Sequence, residues 1–204
     1  MGVAFEEHIF EAAGQALRNV ATAERADVYV VSFFVYDEDD DPRAPTLTIG
    51  TNTESQVQLA CDPPADFQRP SPSWTPTDEE EARWNYAFWR QDRLGVVADT
   101  ELDPVGGALR ERWIHDLGLW VEEPVNDDWA EFARKGAGIT RAFVRTLVST
   151  VQRLHADGVV TEVFGRPLPV VIHELEYYDA IAAQTEEANP PGLAAGLVAW
   201  IAGM

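Results

Sequence analysis

From Asp27 to Tyr36 almost every side chain is β-branched or aromatic, and this run constrains the fold more than any other segment. Such density suits a strand covered on both faces, so the chain is expected to place it centrally in a sheet. Five consecutive acids, Asp37-Glu38-Asp39-Asp40-Asp41, and Pro42 stop the run, and their mutual repulsion predicts an exposed loop. A second strand over 45–51 then pairs antiparallel with the first.

Helical spacing brackets these strands. Phe5, Ile9, Ala12, Ala13, Ala16, Leu17 and Val20 recur at three and four residues and predict an amphipathic helix of about five turns. A short helix to about Ala60 is expected after Asn52 or Thr53 as its cap. Five prolines between residues 62 and 77 exclude helix and central strand there and predict an excursion loop. Thr77 and Asp78 followed by Glu79-Glu80-Glu81 mark another helix start, which runs to about Trp89 or gives way to a strand through Val97. Further helices are expected over 101–117, 139–156 and 177–188, with a strand over 166–175 and a last short helix after Pro190-Pro191. The fold class is therefore α+β: one domain with a small, mostly antiparallel sheet flanked by several helices.

Composition narrows the function. Thirty-five acids against fifteen bases give a formal charge of −20, which repels nucleic acid and anionic membranes and favours a basic protein partner. The apolar runs fall short of the roughly 20 residues that span a bilayer, and Met1-Gly2-Val3 leads into acids rather than a basic signal segment. A cytoplasmic location is expected. The single cysteine, Cys61, forms no intramolecular disulfide and no multi-cysteine metal site, and it reads as a small residue at a segment end. The only lysine, Lys135, reflects codon bias towards arginine.

Three clusters bear on chemistry. His173-Glu174-Leu175-Glu176-Tyr177-Tyr178-Asp179 puts an imidazole among carboxylates at a strand end. Strand alternation would place Glu174 and Glu176 on one face, where they converge on one ion or proton, opposite His173. The second histidine of a zinc-protease helix is missing, however, since Tyr177 stands in its place. His8, His115 and His155 have no ligand spacing to one another. The acids 37–41 lack the alternation and glycine of a calcium loop. Trp84, Tyr86, Phe88 and Trp89 offer more aromatic area than one face can hide, so some are expected to point outward as contact anchors. No nucleophile elbow occurs, and the only G-x-G, Gly136-Ala137-Gly138, follows a helical pattern, so no cofactor and no metal is assigned.

Three short blocks, Asn52-Thr53-Glu54, Arg83-Trp84-Asn85-Tyr86-Ala87-Phe88-Trp89 and the His173–Asp179 block, together resemble an uncharacterised family of bacterial cytoplasmic α+β domains associated with the immunity proteins of polymorphic toxin systems. The resemblance implies a small acidic protein that binds and neutralises a toxin domain, with no catalytic residues. The leading expectation is a non-enzymatic module that binds a basic partner through Asp37, Glu38, Asp39, Asp40, Asp41, Trp84, Tyr86 and Trp89. A metal-assisted hydrolase using His173, Glu174 and Glu176 is the alternative, and a structural or regulatory homo-oligomer is the third.

Overall fold

The computed structural model describes residues 4–68, 70–71, 74–123 and 129–204. Pro72 and Ser73 of the proline-rich excursion, Arg69, and Met1-Gly2-Val3 of the amino-terminal reading lie outside the described residues. In chain order the elements are α1 (Phe5–Arg18), β1 (Val28–Asp37), β2 (Pro45–Thr53), α2 (Glu54–Cys61), α3 (Glu79–Trp84), β3 (Gly95–Val97), α4 (Pro104–Asp116), α5 (Ala130–Ala156), α6 (Val159–Phe164), β4 (Val170–His173), α7 (Asp179–Ala188) and α8 (Ala195–Ala202). Short 3-10 turns cover Glu38–Asp40 and Tyr86–Phe88.

The sheet order is β3-β2-β1-β4, which makes β1 central as its composition predicts. Two pairings, β1 with β2 and β2 with β3, are antiparallel, whereas β1 and β4 run parallel, so the sheet is mixed. It follows that β1, β3 and β4 all point the same way and end on one edge of the sheet. The observed β2 continues to Thr53, and β4 is shorter than the strand expected over 166–175.

Both faces of β1 are covered. Val31, Phe33 and Val35 join Leu47, Ile49, Val170 and Ile172 in a core closed by α1, α5 and α6. Tyr29 and Val30 face the opposite core with Val57, Trp84, Val171, Ile181 and Leu197. A register shift between Val28 and Val30 lets the consecutive Tyr29 and Val30 share that side, as a bulge does.

Side-chain caps set the helix starts. Thr53 accepts from the Gln56 amide at 3.1 Å, settling the cap of α2 on Thr53 rather than Asn52. Asp78 accepts from the Glu81 amide at 2.8 Å while Glu81 accepts from the Thr77 amide at 2.6 Å, a reciprocal box that starts α3. That helix ends at Trp84, and the 3-10 turn and β3 follow, so neither alternative for 84–97 holds alone.

The outer edge of β4 is sealed by α7. Asn189 Oδ1 accepts from the Val170 amide and Asn189 Nδ2 donates to the Val170 carbonyl, both at 2.8 Å. Two residues on, the Ile172 amide donates to Thr185 Oγ1 at 3.3 Å and Gln184 Nε2 donates to the Ile172 carbonyl at 2.8 Å. These side chains occupy the groups that an exposed edge would offer to another strand.

Candidate functional site

His173 lies at the end of β4 and is wholly buried. Its Nδ1 lies 2.9 Å from the Glu174 carbonyl oxygen, which only accepts, so Nδ1 carries the proton of the neutral ring. Nε2 is then the acceptor for the Ser32 hydroxyl at 2.8 Å. Phe34, Tyr86, Trp89 and Tyr177 surround the imidazole, with ring centroids 4.8–5.7 Å away. Burial depresses the His173 pKa to about 4, against the opposing effect of the Glu174 hydrogen bond. With both nitrogens engaged, His173 has no free lone pair for a metal. Among the described residues, no group of three or more His, Cys, Asp or Glu side chains is placed to hold an ion.

The three sequence blocks behind the family resemblance are joined beside this histidine, Tyr86 and Trp89 packing on its ring while the Asn52–Glu54 block bonds to Tyr29 and Arg83. Asn52 Nδ2 donates to the Tyr29 hydroxyl at 3.0 Å, Tyr29 donates to the Arg83 carbonyl, and Arg83 grips Glu54 through two bonds of 2.9 and 2.8 Å. Gln56 reaches the Phe88 carbonyl at 2.8 Å, and Trp89 Nε1 donates to the Arg83 carbonyl at 2.8 Å. The Asn52–Glu54 and Arg83–Trp89 blocks thus form one part-buried framework between α2, α3 and the sheet.

This framework corrects two expectations. Trp84, Phe88 and Trp89 are buried and Tyr86 is half-buried, so the aromatic cluster does not present outward anchors. The second core, fed by α2 and α8, absorbs their area. Glu174 and Glu176 do not share a strand face with convergent carboxylates either, because β4 ends at His173 before alternation can act on them.

The acidic segment is also less exposed than a repelling run predicts. Asp37 is the last residue of β1 and Glu38, like Asp41, is half-buried, leaving only Asp39 and Asp40 exposed. Glu38 accepts from Thr100 and lies 3.4 Å from the Arg110 guanidinium, which also donates to the Ala98 carbonyl at 2.7 Å. Asp41 holds Arg43 at 2.7 Å, and that pairing lowers the Asp41 pKa. Asp39 and Asp40 turn the chain with φ of 55° and 58°, a left-handed conformation that aspartate tolerates better than most residues.

Asp37 is the outlier of the group. Among the described residues its carboxylate accepts no hydrogen bond and joins no ion pair. Burial first, then the nearby Glu174 and Asp41 carboxylates, push its pKa up to about 6. Asp37 and Glu174 line a cavity of about 460 Å³ with Phe34, Tyr36, Leu175 and Tyr178. Tyr178 donates to Glu174 at 3.2 Å, while Glu176 is exposed at the mouth. Leu175 is 73% and Tyr178 46% exposed.

The cavity sits where β1 and β4 end, and the turn after β3 brings Asp99 to the same edge, where it accepts from the Tyr36 hydroxyl at 3.4 Å, with Glu101 and Leu102 following it and Val105 in the first turn of α4. Leu102 and Val105 are 62% and 63% exposed. That edge gathers carboxylates and exposed apolar side chains. Sequence reasoning named the acids but missed Ser32 and the pairing of Asp37 with Glu174. A polar Ser32 inside an otherwise apolar strand was the visible signal.

No family model, curated protein or solved structure matches this chain.

Proposed function

We propose that the protein is a non-enzymatic module that binds a basic protein partner through the carboxyl edge of its sheet. The observation that carries this reading is Asp37: a half-buried carboxylate, crowded by Glu174 and Asp41, in a cavity without a bonded cation. Placing like charges together costs stability that Arg110 offsets only in part, and a lysine or arginine from a partner reverses that cost. A net charge of −20 steers a basic protein towards the molecule, and the exposed Leu175 and Tyr178 supply apolar contact beside the acids. In the terms of the family resemblance, the partner is a basic toxin domain that the module neutralises.

The contact surface differs from the one the sequence suggests. Asp37, Asp39 and Asp40 stay in it, and Glu174 and Glu176 join them. Glu38 and Asp41 serve internal pairs, and Trp84 and Trp89 serve the second core.

The test is recovery of partners from the source lysate at low and high salt, with the wild type beside a variant carrying Asp39→Asn, Asp40→Asn, Glu174→Gln and Glu176→Gln. These changes remove charge and keep side-chain shape. A basic protein held by the wild type at low salt and lost from the variant is expected. Equal recovery by both proteins overturns the assigned surface, and a self-associated bait in light scattering favours the homo-oligomer instead.

A further inference from the structure

The cavity at the sheet edge does not end at Glu174. A second one, of about 380 Å³, shares Thr140, Glu174 and Tyr178 with it and continues between α5 and α7. Together they make one cleft with a chemically graded lining. Val144 and Val148 of α5 face Ala180 and Ala183 of α7, giving the middle an apolar floor. At the sheet end stand Asp37, Glu174 and Glu176, whereas farther along Arg141 and Arg145 of α5 stand across the cleft from Glu187 of α7.

We propose, resting on the docking reading above, that the partner seats an amphipathic helix in this cleft, with basic residues at the end that meets Asp37 and Glu174. Three observations converge on this occupant. From Thr140 to Val148 the α5 wall is about 12 Å long at 1.5 Å per residue, enough for two turns of a third helix and its apolar stripe. Alanines on the α7 wall let a helix backbone approach to about 8–10 Å, the spacing at which ridges enter grooves. The charge changes along the cleft from acidic at the sheet end to mixed beside α5, where Arg141 and Arg145 repel a uniformly basic segment and Glu187 repels an acidic one. A helix basic at one end and neutral over the rest complements the whole length.

Fluorescence anisotropy with three labelled probes separates this inference from the reading beneath it. The first probe is octa-arginine, which senses the acidic edge alone. The second is a capped helical peptide of about 15 residues with a leucine stripe, glutamines in its first turn and arginines in its last. The third has the same composition with its leucines scattered around the helix. At about 150 mM salt the striped peptide is expected to bind the wild type at least about 10-fold more tightly than the scattered one. Ala183→Trp, at an exposed position that fills the cleft, should erase that difference and leave octa-arginine binding unchanged. A second blocking variant, Ala180→Trp, guards against a local folding defect. Equal affinity for the two helical peptides, or a preference that survives both tryptophans, overturns the helix-in-cleft proposal. If octa-arginine still binds the wild type, and binds the variant with four neutralised acids more weakly, the docking reading stands without it. Failure of octa-arginine to bind sinks both.

Discussion

Replacing Ser32 with alanine and His173 with phenylalanine together removes a buried polar pair without orphaning either member. Loss of both partners of a buried hydrogen bond is much less costly than loss of one, so the double variant should stay within about 2 kcal/mol of the wild type at pH 7. The informative quantity is its pH dependence. His173 titrates near 6.5 when unfolded and at about 4 when folded, because burial disfavours its charged form. Its contribution is therefore fully present above the unfolded value and is lost as pH falls from there towards 4. From the linkage relation the loss is about 2 kcal/mol between pH 7 and pH 5. Urea unfolding of both proteins at each pH, with the difference of differences as the readout, cancels the acids they share. The wild type should lose about 2 kcal/mol more than the variant. Parallel pH profiles would refute the claim that His173 is neutral, buried and closed to metal.

Other outcomes follow from single contacts. Asn189→Ala leaves the amide and carbonyl of the buried Val170 without partners, which should cost about 2–5 kcal/mol in urea unfolding. A loss under about 1 kcal/mol would mean that water reaches the β4 edge. Gly50→Ala puts a Cβ 2.6 Å from Asp92 Oδ1 and 2.7 Å from the Asp92 carbonyl. It should cost about 1–3 kcal/mol by dislodging the carboxylate that accepts from the Thr51 amide at 2.7 Å, and an unchanged midpoint would count against that packing. Asp37 has a folded pKa raised to about 6, so its unfavourable charge is present above that pH and relieved as pH falls through it. Asp37→Asn should accordingly stabilise the free protein most at pH 7.5, progressively less as pH falls below about 6, and hardly at all near the unfolded carboxylate value of 3.8, while affinity of the wild type for octa-arginine should weaken below pH 6.

Local rules made much of the fold legible. The composition of β1 fixed its central place, the α1 stripe its buried face, and Asp78 with the following glutamates the start of α3. What escaped depended on partners far away in sequence. Nothing near Val170-Val171-Ile172 says that it pairs parallel with β1, since that neighbour is chosen by the helices between them. Trp84 and Trp89 looked like surplus aromatic area because the opposing layer, α8 with Leu197 and Ile201, lies at the other end of the chain. Glu174 and Glu176 were read by strand alternation, which applies only while the strand lasts. His173 was singled out for the right reason, an imidazole at a strand end. Its environment, set by Ser32 across the sheet and by four aromatic rings, turned it from a reactive group into a core residue.

Zero-length carbodiimide cross-linking of the protein to the basic partner it captures, with mass mapping of the joined residues, tests the assigned surface most directly. Links from partner lysines to Asp39, Asp40, Glu174 and Glu176 are expected, with Asp37 protected by its depth. Links that instead concentrate on acids remote from the sheet edge, such as Glu79, Glu80 or Glu131, would contradict the central claim.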